Sequence, residues 1–293
     1  MTAAPGSRST IIELHRSAVA QLKRSRLVYG HGTHNSRDEA ACLLAHAVGL
    51  PPGDLSGHSA QVVTSLQQRR FDRLVARRVK ERIPAPYLTR QAWLGDFSFY
   101  VDRRVIVPRS FIAELLRDGL DIWMKDPVRR VLDLCTGSGC LAILAAHAFP
   151  RARVDATDVS LGALAVARRN VLQYRLSRRV CLVNSNLFEA LAGRRYDLIL
   201  SNPPYVTAAS MRALPREYRH EPRLALAGGP DGLALVRRIL AGARNHLAPG
   251  GVLVCEIGHN RRLLEKAFPR LPFVWLATSA GADRVFMLER EAL

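Results

Sequence analysis

Four consecutive residues, Asn202-Pro203-Pro204-Tyr205, have the types and order that could do chemistry. They directly follow the apolar run 196–200, which predicts a buried strand. Each proline fixes its own φ and pushes the residue before it towards an extended conformation, so the backbone carbonyls are held in fixed directions. The Asn202 side chain, these carbonyls and the Tyr205 ring would suit a flat group that carries an NH2. Taken alone, the same residues also describe a strand that ends in a rigid turn.

A second candidate is the glycine-containing turn Cys135-Thr136-Gly137-Ser138-Gly139, which follows an apolar strand and precedes a helix. The two glycines let the backbone bend sharply and approach a ligand, and the helix start offers free N–H groups. Asp158 ends the next predicted strand, where a carboxylate can accept hydrogen bonds from both hydroxyls of a ribose. This arrangement fits a nicotinamide dinucleotide and S-adenosylmethionine equally well.

The loop at Asn202 decides which of these two cofactors the sequence favours. An enzyme that transfers hydride needs no such loop. An enzyme that methylates an amide-type nitrogen must hold both N–H bonds and direct the delocalised lone pair of the nitrogen at the methyl group. The Asn202 side chain and the Pro203 carbonyl would accept those hydrogen bonds, and Tyr205 would pack on the flat group. We therefore expect an S-adenosylmethionine-dependent methyltransferase whose catalytic residues are Asn202, Pro203 and Tyr205.

The elements that would position these residues alternate apolar strands and helices, which is typical of a parallel α/β sheet. The last two strands are joined by so short a connection that they must be antiparallel. A mostly parallel, Rossmann-like sheet of seven strands with such an end hairpin indicates a class I methyltransferase fold. The predicted strands are 131–135, 153–158, 180–186, 196–201, 251–257, 273–278 and 284–289, and the predicted helices between them are 140–149, 161–174, 232–247 and 261–267.

The region before this sheet predicts a small all-α domain over 1–86, a β-hairpin linker over 87–109 and a catalytic domain over 110–293 that opens with an amphipathic helix at 111–124. Residues 1–9 are predicted to be disordered, and the hairpin turn is predicted at Asp102-Arg103-Arg104. One helix or a pair of helices, over 61–83, would bury Leu66 with other apolar residues. This segment would expose the basic residues Arg69, Arg70, Arg73, Arg77, Arg78, Lys80 and Arg82.

The composition of the 293 residues restricts the function classes. A net charge of +18, with basic residues in excess on both sides of Pro86, predicts attraction to nucleic acid or ribonucleoprotein. A generally arginine-rich surface is the simpler interpretation. The five cysteines lack the paired spacing of metal or redox sites, so no metal is expected. With neither a long apolar run nor a secretory leader, we expect a cytoplasmic protein.

Across nearly its whole length the chain resembles the HemK-like protein-glutamine methyltransferases. The resemblance is carried by the motifs 99–102, 107–110, 133–140 and 202–205, and by Glu217-Tyr218-Arg219-His220-Glu221-Pro222 followed by Gly232-Leu233. That last run is most similar to the members that methylate a glutamine of ribosomal protein L-three, free or in an assembling large subunit. Relatives that act on release factors lack it. The resemblance also implies that the helical domain docks the substrate.

By resemblance, S-adenosylmethionine would be bound by Cys135, Thr136, Gly137, Ser138, Gly139, Asp158, Asn186, Leu187 and Asn202, and the target glutamine by Asn202, Pro203, Pro204 and Tyr205. One residue departs from the family pattern, because Asn186 stands where an aspartate is usual. Its side chain can still accept a hydrogen bond from the adenine amino group, but without charge. Arg219, His220 and Glu221 would form either a substrate-side polar cluster or a network that braces a loop.

Three other functions compete with this hypothesis, and one of them is methylation of a glutamine in a release factor. Nucleic-acid adenine-amino methyltransferases use a closely similar loop on a flat ring that carries an NH2, although the chain has no added domain large enough to read a base sequence. A ribosome-assembly factor that kept the fold and lost the activity is the third alternative. The basic surface could contact ribosomal RNA under any of these functions.

Overall fold

The computed structural model describes residues 9–51 and 53–293. The chain forms two compact units, which differ in their secondary structure. A helical unit contains Met1–Gln91 together with Pro215–His220, and a sheet unit contains Ala92–Leu214 and Glu221–Leu293. The disorder predicted for the first residues falls outside the described residues, except at Ser9. No helix within the described part of the chain is long and apolar enough to cross a membrane.

The helical unit is built from α1 (Ile11–Arg24), α2 (Ser36–Val48), α3 (Ser65–Glu81), α4 (Ala85–Thr89) and a 3₁₀ turn (Arg216–His220). Capping boxes fix the starts of α1 and α3, because Thr10 and Thr64 each exchange hydrogen bonds with the residue three positions later. Gly49, in the left-handed conformation, ends α2. The apolar faces of the first three helices bury one shared core, which includes Leu22, Leu43, Leu44, Phe71 and Val75.

Three side-chain predictions for the segment 61–83 are wrong, and one of them concerns Arg82, which is half-buried and paired with Glu217. Leu66 is 71% exposed, because α3 begins at Ser65 and its first turn lies outside the core. Arg78 is only 1% exposed, because its guanidinium forms ion pairs with two buried carboxylates, Glu39 and Glu217. Among the predicted basic residues, the exposed ones are Arg69, Arg70, Arg73, Arg77 and Lys80, and we call these five side chains the α3 basic face.

The start of the sheet unit differs from its prediction at two points. The hairpin consists of β1 (Gln91–Leu94) and β2 (Phe97–Tyr100), so its turn lies at Gly95, with φ +57°. A turn is present at Asp102-Arg103-Arg104, where the Val105 amide donates to the Asp102 carbonyl at 3.1 Å, but it lies after the hairpin and does not connect its strands. The predicted helix 111–124 is interrupted, because α5 (Ile112–Asp118) ends at Gly119 with φ +100° and a 3₁₀ turn (Leu120–Trp123) follows. A glycine in the left-handed conformation redirects the chain in both cases.

The seven-stranded sheet confirms the predicted fold class. Its strands lie in the order β5-β4-β3-β6-β7-β9-β8, and all neighbours are parallel except that β9 runs antiparallel to β7 and β8. Apolar clusters cover both faces of the sheet. The strands are β3 (Arg130–Leu134), β4 (Arg153–Asp158), β5 (Val180–Asn184), β6 (Tyr196–Ser201), β7 (Leu247–Glu256), β8 (Val274–Thr278) and β9 (Gly281–Glu289), and the remaining helices are α6 (Cys140–Ala148), α7 (Leu161–Gln173), α8 (Ala208–Ala213), α9 (Ala234–His246) and α10 (Arg261–Ala267).

The strand register brings the loops that carry the candidate residues to one edge of the sheet. Leu134 at the end of β3 pairs with Thr157 of β4 and Ser201 of β6, and Ser201 in turn pairs with Cys255 of β7. The Ser201 hydroxyl also donates to the Leu134 carbonyl, at 3.0 Å. In parallel α/β sheets, ligands bind outside these carboxyl ends of the strands.

Candidate functional site

The glycine turn after β3 is held in place by a buried carboxylate. Asp133 Oδ2 accepts hydrogen bonds from the Thr136 hydroxyl at 2.5 Å and from the Ala142 amide at 3.0 Å. Cys135, Gly137 and Gly139 all have positive φ, and a Cβ at Gly139 would lie 3.1 Å from the Ala167 Cβ. Burial raises the pKa of the Asp133 carboxyl to about 7. The turn therefore depends on Asp133, Thr136 and close packing against α7.

Asp158 at the end of β4 is fixed by backbone donors. Its Oδ2 accepts from the Gly137 amide and its Oδ1 from the Ser160 amide, both at 2.9 Å. Burial raises the pKa of this carboxyl, while these hydrogen bonds act in the opposite direction. Each carboxylate oxygen can accept more than one hydrogen bond. Asp158 can therefore hold the glycine turn and accept from a ligand at the same time.

The loop after β5 brings a third group to the same place. The Ser185 amide donates to the Asp158 carbonyl at 3.1 Å, which ties the ends of β5 and β4 together. Asn186 then donates from Nδ2 to the Glu189 carboxylate at 2.7 Å. This hydrogen bond uses Nδ2, and Oδ1 is the atom of the same carboxamide that the sequence interpretation assigns as an acceptor.

The segment Asn202–Tyr205, which we call the acceptor loop, is clamped on several sides. The Val206 amide donates to the Leu226 carbonyl at 2.9 Å, and the Tyr205 carbonyl accepts from Asn260 Nδ2 at 2.8 Å. Three glycines approach it so closely that a Cβ would collide: at Gly228, Gly232 and Gly258 the nearest loop atoms would lie at 2.7, 2.4 and 2.6 Å. The Tyr205 end of the acceptor loop is thus packed against glycines, which have no side chains.

These loops line one cavity of about 330 Å³. Among the residues predicted from the sequence, it is lined by Cys135, Gly137, Asp158, Asn186, Leu187, Asn202 and Pro204. The other predicted residues are not among those that line it: Thr136, Ser138, Gly139, Pro203 and Tyr205. Thr136 and Ser138 are buried, and the Tyr205 hydroxyl donates to Glu256 at 3.2 Å. The acceptor loop and the glycine turn therefore meet at one cavity, although not every predicted residue lines it.

Several cavity residues were missed by sequence reasoning. Arg104, Leu224 and Arg238 line the cavity from three separate segments. Arg104 is held by a bidentate ion pair with Asp102, which lowers the pKa of that carboxyl to about 2. Leu224 is 60% exposed, so it forms part of an apolar rim. None of the three ends a predicted strand, so strand-end reasoning could not find them.

The segment before α5 is bound by a second buried carboxylate. Glu221 accepts from the Val107 amide at 3.0 Å and from both terminal nitrogens of Arg109, at 2.6 and 2.7 Å. In the helical unit, the His220 ring nitrogen Nε2 donates to the Glu81 carbonyl at 2.9 Å. Both hydrogen-bonding patterns favour the bracing interpretation of the Arg219-His220-Glu221 run over a cluster that binds substrate.

Two family models match the chain, the "PrmC N-terminal domain" over residues 13–89 and the "Methyltransferase small domain" over residues 114–215. The catalytic domain of hMettl16 in complex with MAT2A 3′UTR hairpin 1 has a similar structure, with a TM-score of 0.52 and 18% identity over 90% of this chain and 95% of that one. At this identity the likeness supports the fold alone.

Relatives with much higher identity include two bacterial proteins. A Bordetella pertussis protein named ribosomal protein uL3 glutamine methyltransferase is 57% identical to this chain and covers 97% of it and 96% of its own length. A Neisseria meningitidis serogroup B protein of the same name is 52% identical, over 97% of this chain and 94% of its own. With this identity over almost the full length of both proteins, the chain belongs to the family of ribosomal protein uL3 glutamine methyltransferases.

Proposed function

We propose that this protein transfers a methyl group from S-adenosylmethionine to the side-chain amide nitrogen of a glutamine in ribosomal protein uL3, the L-three protein of the large subunit. The observation that supports it most directly is that Asn202, Gly137 and Asp158 line the same cavity. Cofactor-type and acceptor-type groups thus meet at one site. The names of the relatives supply the substrate.

The cavity fits S-adenosylmethionine on three counts. Its volume of about 330 Å³ lies at the lower end of the range for small-molecule sites. Asp158 has acceptor capacity left for ribose hydroxyls, and Asn186 Oδ1 can accept from the adenine amino group. The backbone at Gly137 approaches the cavity with no atom within 4 Å of where a Cβ would lie. When bound, the cofactor supplies an electrophilic methyl group on a positively charged sulfur.

The acceptor loop would do the remaining work by positioning. The Asn202 carboxamide oxygen would accept one amide N–H of the glutamine and the Pro203 carbonyl the other, which directs the nitrogen lone pair towards the methyl group. Fixed dipoles of this kind cost no reorganisation during the reaction. The apolar rim at Pro222, Leu224 and Ala225 would exclude water from the acceptor. No strong base is required, because the amide proton can leave after the transfer.

We further propose that the α3 basic face contacts ribosomal RNA when uL3 is presented with it. Five exposed basic side chains on one helix form a dense positive surface in the helical unit. The net charge of +18 supports the same partner class. Free uL3 and uL3 bound to RNA would then both be substrates, but the α3 basic face would contribute only to the binding of RNA-bound uL3.

A methylation assay with labelled cofactor tests the proposal. Purified uL3, a release factor, deproteinised ribosomal RNA and duplex DNA are offered separately, and the labelled protein is digested for mass spectrometry. We expect label in uL3 alone, on a glutamine side chain. Label confined to RNA or DNA would support an adenine-amino methyltransferase instead, and label confined to the release factor would assign a different protein substrate. Cofactor binding without turnover on any of them would favour an assembly factor.

A further inference from the structure

Glu256, the last residue of β7, is a buried carboxylate that the proposed chemistry does not use. It is 1% exposed. Its Oε2 accepts from the Ser110 hydroxyl at 2.7 Å and from the Phe111 amide at 2.9 Å, and its Oε1 faces the Tyr205 hydroxyl at 3.2 Å. One carboxylate therefore joins the acceptor loop to the segment that leads into α5.

Tyr205 is held so that its hydroxyl donates to Glu256, and it is not among the residues that line the cavity. Its ring packs on Gly258, where a Cβ would lie 2.6 Å from Cε2, and its carbonyl accepts from Asn260. Burial raises the pKa of the phenol, so it stays protonated as a donor. Asn202 and Pro204 line the cavity from the same loop. A displacement of Tyr205 would therefore be passed to Asn202 through two rigid proline residues.

We infer that Glu256 is a positioning residue for methyl transfer, acting through the Tyr205 hydroxyl to fix the acceptor loop and hence the Asn202 side chain. Glu256 touches neither cofactor nor acceptor in this role. A misplacement of about 1 Å at a reacting group can cost on the order of 100-fold in rate. The inference rests on the proposed function for its kinetic readout.

Three substitutions test the role. Tyr205→Phe keeps the ring on Gly258 and removes only the hydroxyl, and we expect kcat to fall about 10- to 100-fold while the Kd for S-adenosylmethionine stays within about twofold. Glu256→Gln can still accept from Ser110 and Phe111 and can donate its amide to the Tyr205 oxygen, so it should keep kcat within about threefold. Glu256→Ala removes all these hydrogen bonds and should be at least as slow as Tyr205→Phe. If Glu256→Ala does not fold, the kcat values of Tyr205→Phe and Glu256→Gln still test the inference.

Tyr196→Phe is the matched control. Tyr196 begins β6, at the opposite end of the strand that leads into the acceptor loop, and its hydroxyl donates to the Asp155 carboxylate at 2.7 Å. The variant breaks the same kind of tyrosine–carboxylate hydrogen bond. A purely structural role for Glu256 would lower the melting temperature in Tyr196→Phe and Tyr205→Phe alike and leave kcat unchanged in both. That result would overturn the inference, as would loss of kcat in Glu256→Gln with full activity in Tyr205→Phe.

A second readout does not depend on the substrate. The amides of Val206 and Gly228 are hydrogen-bonded beside the acceptor loop, to the carbonyls of Leu226 and Val206. If Glu256 orders the loop through Tyr205, hydrogen exchange at these two amides should be faster in Tyr205→Phe than in the wild type and unchanged in Tyr196→Phe. Unchanged exchange in Tyr205→Phe would contradict the inference. If the wild type fails to methylate uL3, the proposed function falls while this measurement still tests Glu256.

Discussion

Asn202 and Asp158 line one cavity. Asn202 is also among the predicted cofactor residues, but its main role is proposed at the acceptor and that of Asp158 at the cofactor, so their substitution should give different kinetic defects. We expect Asn202→Ala to lower kcat more than 100-fold with nearly unchanged affinity for S-adenosylmethionine, because it removes a transition-state interaction worth about 3 kcal/mol or more. Steady-state kinetics with calorimetric cofactor binding provides the measurement. Activity within about tenfold of wild type would show that Asn202 does not orient the acceptor.

Asp158→Asn is the complementary change. The amide keeps one acceptor oxygen but loses the charge and adds a donor that faces the Gly137 or Ser160 amide. We expect the Kd for the cofactor to rise at least tenfold, with kcat at saturating cofactor reduced much less. Equal losses in kcat for both variants would show that the two residues do not serve separate ligands.

The buried Asp133 carboxyl should make stability depend on pH. Its pKa rises from 3.8 to about 7 in the folded protein, so below pH 4 the group is protonated in both states and contributes no difference. Between pH 4 and 7 the unfolded chain ionises first, and the free energy of unfolding falls by up to about 4 kcal/mol. Asp133→Asn removes this pH dependence. Denaturant unfolding of both proteins should show the variant gaining stability relative to wild type from pH 4 to 7, and a constant difference would contradict the raised pKa.

Strand-end residues could be predicted from the sequence, whereas most of the residues around them could not. Asp158 and Asn202 follow apolar runs of strand length, and the carboxyl ends of parallel strands share an edge, so pattern and topology suffice. Arg104 and Leu224 reach the cavity from loops whose paths depend on tertiary packing. Arg78 looked exposed by helical periodicity, and the carboxylates of Glu39 and Glu217, both distant in the sequence, make its burial favourable.

At the scale of elements, the acceptor loop depends on neighbouring glycines, which have no side chain. Gly258 and Gly95 both have φ +57°. A Cβ at Gly258 would lie 2.6 Å from the Tyr205 ring, whereas a Cβ at Gly95 would meet no atom within 4 Å. Replacement by alanine strains the backbone equally at both positions, by about 1 kcal/mol. We expect Gly258→Ala to abolish methyl transfer and Gly95→Ala to keep it, as measured by turnover and thermal unfolding. Similar activity in the two variants would show that the acceptor loop tolerates displacement.

The errors in element prediction share one cause. The apolar periodicity of 111–124 continues past Gly119, and the period-two pattern of the hairpin continues past Tyr100. In both places a glycine with positive φ turns the chain inside a pattern that looks continuous. The strands of the sheet, whose ends are marked by loss of apolar character, were predicted to within a few residues. The predicted domain boundaries remain predictions.

For the whole molecule, charge gives a test of RNA binding. Arg69→Glu with Arg73→Glu reverses two charges of the α3 basic face, and Arg262→Glu with Arg270→Glu makes the same change in net charge on exposed residues of the sheet unit. We expect only the first pair to lower kcat/KM for uL3 bound to its ribosomal RNA fragment. The slope of log affinity against log salt concentration should also decrease by about one unit for each phosphate group that the variant no longer neutralises. Both pairs should leave transfer to free uL3 nearly unchanged. Equal effects of the two pairs would reduce the role of α3 to general charge.

The helical unit is assembled from two separate pieces of chain, because Pro215–His220 belongs to it. Glu217 from the second piece accepts from the Val28 amide at 3.1 Å and is paired with Arg78 and Arg82. If the helical unit of one relative is grafted onto another by a single splice, position 217 comes from the recipient. Arg78 is then buried beside a mismatched or missing acid. A chimera that carries 1–91 and 215–220 from the same parent should fold, and one that carries 1–91 alone should lose about 3–5 kcal/mol of stability if the donated acid is absent. Recombination between relatives has to treat these two distant stretches as one inherited part.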